Sequence, residues 1–187
     1  MERDFLVRLE SFPYIESVES QPFTLAFEHE GKQLTYTPDF KVTYLSHPWP
    51  VRKTAVFEVK LSKRLLDDRE YWKPRFIAAM RHCREHGRVF HLMNERKIRD
   101  QRWANSKFLR RYRHYQFEQA DIEAVLDTAD TQTVVTSDYL LSKHFPGDHL
   151  RPIGISLIWH LVANQKLECD MTAPLTHLSE LWRINVE

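Results

Sequence analysis

The sequence predicts an α/β chain: a leading helix, a set of strands, a long helix and a further strand, then a small, mostly helical second part. Three observations carry this. Apolar and polar residues alternate across much of 17–61. Apolar residues recur at helical spacing on both sides of that stretch, in 5–12 and 76–83. The charge balance also reverses along the chain. Residues 1–51 carry 4 Lys and Arg against 8 Asp and Glu, residues 52–114 carry 19 against 7, and residues 115–187 carry 4 against 11. The expected division is a first domain over 1–114 and a second over 115–187.

Phe5, Leu6, Leu9 and Phe12 mark the first helix, Glu2 to Ser11, which Pro13 ends. Phe23, Leu25 and Phe27 read as a strand, His29 to Lys32 as a hairpin turn, and Leu34 and Tyr36 as its return. Phe40, Val42 and Tyr44 continue the alternation after Pro38. The His47-Pro48-Trp49-Pro50 cluster reads as a loop, and Thr54 to Leu61 as a further strand. A long helix is expected over Asp68 to His86, starting nearer Lys73 or kinking there because of Pro74, with Gly87 as its cap. Val89 to Met93 is a short strand, and Trp103 to Tyr115 a basic amphipathic helix. Residues 118–130 carry five acids and no base, which reads as a boundary segment or short helix. Thr136 to Phe145 and Ile153 to Asn164 read as helices. Lys166 to Met171 and Leu175 to Ile184 read as a hairpin. Helix, helix, hairpin is compatible with a winged-helix-like module.

The near-neutral total, +1, conceals a net +12 over 52–114. Such a block suggests that a polyanion meets the middle of the chain; a solvated helix face paired with the acidic flanks is the other reading. Four glycines, at 31, 87, 147 and 154, are too scattered for a phosphate-cradling loop, which argues against a nucleotide-binding fold. No apolar run approaches a membrane span and no leader opens the chain, so a cytoplasmic protein is expected. Two cysteines, Cys83 and Cys169, fit a reducing compartment better than a disulfide scaffold or zinc finger.

The strongest chemical constellation is Pro38-Asp39 followed by Glu58-Val59-Lys60. Glu58 and Lys60 lie two apart on a strand and project from one face, opposite Phe57 and Val59. Asp39 follows a proline, which cannot donate to a sheet ladder and so marks a strand edge or bulge. Two carboxylates and an ammonium converging at a sheet opening suit metal-assisted phosphodiester hydrolysis. Carboxylate oxygens hold a hard cation such as Mg²⁺, and a lysine can orient the attacking water. A turn aspartate beside a solvated Glu/Lys pair is the plainer reading. The surrounding order of elements favours the first, because it matches the restriction-endonuclease-like PD-(D/E)xK core of helix, mixed strands, helix and strand.

A closer resemblance lies in Glu2 to Glu10, Ile15 to Phe23, Tyr36-Thr-Pro-Asp-Phe40 and Phe57-Glu-Val-Lys60. Together these resemble the amino-terminal domain of the TnsA endonucleases, nuclease subunits of heteromeric cut-and-paste transposases. The resemblance covers residues 2–98 and loosens beyond. It implies Glu2, Asp39 and Glu58 as metal ligands, joined by the Val59 carbonyl, and Lys60 as catalytic base or stabiliser. The cofactor would be Mg²⁺, with Mn²⁺ able to substitute. It further implies cleavage at the 5′ ends of a mobile element in a prokaryotic nucleoid. The partners would be double-stranded DNA at the transposon ends, a DDE-type (TnsB-like) transposase subunit and an AAA+ (TnsC-like) regulator. Glu2 falls three residues before Phe5 and seven before Leu9, so it is expected on the buried face of its helix, with Glu28 as the alternative ligand.

Basic residues for phosphate contact are expected at Arg96, Lys97, Arg102, Arg110 and Arg111, interleaved with Trp103, Phe108, Tyr112 and Tyr115, which are expected mostly to face inward. The acidic second domain is expected to touch protein. His82-Cys83-Arg84-Glu85-His86 matches H-x-x-E-H, a zinc-protease pattern, but it ends a basic helix where histidine suits the dipole, so it reads as a solvated helix end. Two other functions remain open on sequence: a stand-alone restriction or repair nuclease, and a non-catalytic DNA- or protein-binding adaptor.

Overall fold

The computed structural model describes residues 1–45 and 53–183. The expected loop at His47 to Pro50 and the end of the expected strand at Ile184 lie outside the described residues.

The chain forms two compact units, Met1–Arg99 and Asp100–Glu187. In the first, α1 (Glu2–Leu9) is followed by β1 (Ile15–Ser20), β2 (Leu25–His29), β3 (Lys32–Tyr36), β4 (Phe40–Tyr44) and β5 (Thr54–Val59). Then come α2 (Ser62–Asp67), α3 (Arg69–Glu85), β6 (Val89–Met93) and α4 (Glu95–Ile98). A four-stranded sheet runs in the order β1-β4-β5-β6, while β2 and β3 pair as a separate hairpin. The β1–β4 and β4–β5 pairs are antiparallel and β5–β6 is parallel, joined by the α2–α3 crossover. Helix, mixed sheet, helix and strand fit a restriction-endonuclease-like core.

The alternation in β5 does what the sequence implies on one face. Phe57 and Val59 join Phe5, Leu9, Phe40, Val42, Ala55 and Ile98 in the core. The other face is not solvated, because Val56 and Glu58 are buried as well. Helix α3 begins at Arg69, close to the expected Asp68 and four residues before Lys73, and continues through Pro74. It ends at Glu85, and Gly87 follows the cap residue with a φ of 64°, which suits glycine. There Arg88 N–H reaches Cys83 C=O at 2.8 Å and Gly87 N–H reaches Arg84 C=O at 3.2 Å, the paired bonds of a Schellman cap.

The second unit contains α5 (Gln101–Leu109), a 3₁₀ turn (Arg110–Tyr112), α6 (Gln119–Gln132), β7 (Val135–Thr136), α7 (Ser137–His144), α8 (Arg151–Ala163), β8 (Leu167–Cys169) and β9 (Glu180–Arg183). Its small antiparallel sheet runs β7-β9-β8. Helix α8 is apolar on nearly every side and centres a core with Val125, Leu140, Leu141, Leu167 and Leu181.

The division falls between Arg99 and Asp100 rather than after residue 114. The reason is packing. Leu109 belongs to the second core, and Phe108 meets Trp159 edge-on with centroids 5.8 Å apart. The Asn105 amide, 4 % exposed, donates to Met171 C=O and Ala173 C=O. The basic helix expected over 103–115 is therefore two pieces, α5 and the 3₁₀ turn, held in the second unit. Among the described residues, no helix is long and apolar enough to cross a membrane.

Candidate active site

The site lies where β4 begins and β5 ends. Phe40 pairs with Phe57 across the antiparallel ladder, so one step further Asp39 comes opposite Glu58. The Val59 N–H donates to Asp39 Oδ2 at 2.7 Å, and the Gln21 N–H donates to Asp39 C=O at 2.9 Å. These bonds fix the residue at the mouth of the sheet, as its position after Pro38 suggested.

Glu58 is 1 % exposed. Its Oε1 is 2.8 Å from Lys60 Nζ, and its Oε2 accepts from Tyr36 Oη at 2.6 Å. Lys60 is anchored at its backbone, where its N–H donates to Met93 C=O at 3.0 Å. Its ammonium lies 4.6 Å from the centre of the Trp72 ring, within range of a cation–π contact. Trp72 stacks on Phe76 with centroids 5.6 Å apart, and Phe76 meets Tyr36 edge-on at 6.1 Å. Thus β3 and α3 build the wall over the face that carries Glu58 and Lys60. The Trp72 indole Nε1 is buried without a hydrogen-bond partner.

Sequence reasoning did not single out Tyr36 or Trp72. Tyr36 begins the Tyr-Thr-Pro-Asp string three residues before Asp39, and that string carries the resemblance without giving the tyrosine a role. Nothing in the local pattern around Trp72 distinguishes it from an ordinary helix aromatic.

Burial pushes the Glu58 carboxyl above its ordinary value, against the opposing pull of Lys60 and of the Tyr36 hydroxyl, while the nearby Asp39 pushes it further up. Burial likewise raises Asp39, opposed by the Val59 N–H and Lys60, with Glu2 adding to the rise. The Tyr36 hydroxyl is pushed up by burial and by Glu58, so it stays protonated and donates. Two desolvated carboxylates side by side, with oxygen donors only, fit a hard divalent cation, which would relieve their repulsion.

Glu2 departs from expectation. It is exposed, as is Leu6 one turn on, because α1 packs through Phe5, Val7 and Leu9. It sits at the helix start, near enough for its charge to act on Asp39. Glu28 is exposed on the separate β2–β3 hairpin.

The expected phosphate contacts are divided. Arg96 and Lys97 are exposed on α4 in the first unit, and Lys97 Nζ reaches Leu92 C=O at 3.1 Å. Arg102, Arg110 and Arg111 belong to the second unit. There Arg111 lies over the Phe108 ring at 5.1 Å, while Phe108 and Tyr112 pack on the core.

Residues 12–95 match a family model described as the TnsA-like endonuclease N terminal. The match takes in Asp39, Glu58 and Lys60 and leaves out Glu2, the five basic residues and the second unit. No curated protein matches the chain.

Proposed function

We propose that the chain is a divalent-metal-dependent DNA endonuclease, a reading supported by the match of residues 12–95 to the TnsA-like endonuclease N-terminal model. It would act as one subunit of a heteromeric transposase and cut phosphodiester bonds at the 5′ ends of a mobile element. The observation that carries the reading is Glu58: a carboxylate buried to 1 % exposure, opposite Asp39 and 2.8 Å from Lys60. Two desolvated carboxylates share the Lys60 ammonium there, and perturbed acids of this kind cluster at functional sites.

Asp39 and Glu58, with the Val59 carbonyl, would hold the cation, and Glu2 stands at the edge of the site as a further oxygen donor. Bound Mg²⁺ would lower the pKa of a coordinated water and offset charge on the scissile phosphate, with Mn²⁺ able to replace it. Lys60, fixed between Glu58 and the Trp72 ring, presents an ammonium that can orient the water and stabilise the transition state. Tyr36 holds Glu58 in place from the opposite side. We read the second unit as a winged-helix-like module that docks on partner proteins, namely a DDE-type transposase subunit and an AAA+ regulator. Its helices, small antiparallel sheet and acidic balance support this.

The test is cleavage of transposon-end DNA with the partner transposase present. Asp39→Ala and Lys60→Ala should each abolish Mg²⁺-dependent cutting; full activity in either would sink the reading. Cutting by the chain alone would point instead to a stand-alone nuclease.

A further inference from the structure

The carboxyl end of α3 carries a second group of metal-binding side chains, which the nuclease reading does not use. His82, Glu85 and His86 each offer a ligand atom, all within 4.8 Å of one another. The i, i+3, i+4 spacing on a helix brings the three side chains to one face.

His86 is also oriented as a ligand. His86 Nδ1 is 2.8 Å from the His82 carbonyl oxygen. A carbonyl cannot donate, so Nδ1 carries a proton, and in the neutral ring Nε2 is the nitrogen with the free lone pair. Metal-bound histidines commonly use this arrangement, in which the remote nitrogen donates to a backbone carbonyl and fixes the ring. His82 is half-buried, and its ring lies 4.8 Å from Phe23 and 4.1 Å from His86. The Schellman cap fixes the helix end, where the dipole's negative pole favours a cation.

We propose that His82, Glu85 and His86 form a binding site for a borderline-soft divalent transition ion such as Zn²⁺, distinct from the Asp39–Glu58 carboxylates. The donor set separates the two. Imidazole nitrogen suits Zn²⁺, whereas the all-oxygen pair suits Mg²⁺. Tetrahedral Zn²⁺ with bonds of about 2.0–2.2 Å sets neighbouring ligand atoms roughly 3.3 Å apart. Rotation of the exposed Glu85 side chain closes the remaining distance. Glu85 is a ligand here, and water fills the fourth position. The proposal is independent of the nuclease assignment.

The test is titration of chelator-stripped protein with Zn²⁺ by calorimetry, and with Co²⁺ by visible absorption, in excess Mg²⁺. One ion per chain is expected, with the Co²⁺ bands of a nitrogen-containing tetrahedral site, and Asp39→Ala should leave both unchanged. His82→Ala and His86→Ala should each weaken binding by about tenfold or more. Should His82→Ala fail to fold, Glu85→Gln and His86→Gln, both at exposed positions, provide the same comparison. Absence of binding to the wild-type chain, or unaltered affinity in the histidine variants, would overturn the proposal.

Discussion

Tyr36 Oη donates to Glu58 Oε2 across 2.6 Å, joining two residues 22 positions apart in sequence and two strands that belong to different sheets. The hydroxyl satisfies one oxygen of a carboxylate that has almost no contact with water. Its removal should therefore be felt in the folding of the first unit as well as at the site.

Tyr36→Phe should lower stability by about 1–3 kcal/mol, the range for a buried group left without its hydrogen-bond partner. Denaturant unfolding measures this. Cleavage should fall less than in Glu58→Ala, because the carboxylate itself remains. The Mg²⁺ concentration for half-maximal activity should rise as Glu58 loses its fixed orientation. Unchanged stability and unchanged Mg²⁺ dependence would remove Tyr36 from the site.

Lys60→Met should cost about 3 kcal/mol, the lower end for breaking a buried pair, since Lys60 is itself 19 % exposed. Adding Glu58→Gln should restore much of that loss, because no buried charge is then left uncompensated. Activity should not return with it. A double-mutant cycle on stability and cleavage separates the two roles: recovery of stability without activity is the expected result.

The raised carboxyls give a pH prediction with a definite sign. An acid whose folded pKa lies above its unfolded value binds more protons when folded. The stability associated with it is present below the ordinary values, 3.8 for Asp39 and 4.5 for Glu58, and is lost as pH rises through the raised folded values. In chelator, Asp39→Asn should therefore melt at a higher temperature than wild type at neutral pH, with the difference shrinking below the ordinary carboxylate range. Mg²⁺ should raise the melting temperature of wild type more than that of the variant. Thermal melts across pH, with and without Mg²⁺, check both statements.

Gly154 lies where α8 meets its neighbours. A Cβ there would come within 2.5 Å of Phe145 ring carbons and 2.9 Å of Leu141 Cδ2. Helix propensity alone favours alanine, but both neighbours are buried, so Gly154→Ala should destabilise by about 1–3 kcal/mol through overpacking. A melting temperature at or above wild type would show that the second core can yield at this point.

Much of the first unit was legible because its signals are local. Alternation marked β2 to β5, a helical stripe marked α3, and Gly87 marked its end. Asp39, Glu58 and Lys60 stood out because a proline-bounded aspartate and a same-face Glu/Lys pair are patterns within a few residues. Glu2 was misplaced because spacing gave helix neighbours but not the angle of the packed face. Phe5, Val7 and Leu9 set that angle, leaving Glu2 exposed. The boundary at 114 followed the change in charge, whereas the chain divides where Leu109 and Asn105 find their partners, and charge balance does not report packing.

The sequence by itself determined which side chains could do the chemistry and that Glu58 and Lys60 share a strand face, because the two-residue strand period is a local property of the backbone. The tertiary structure decided what covers that face. It brought Tyr36 from the hairpin and Trp72 from α3 against the Glu58–Lys60 pair, and so turned a pair that could have been solvated into a buried one. Those contacts span 22 and 12 residues of chain respectively, and they form only when the separate elements pack together.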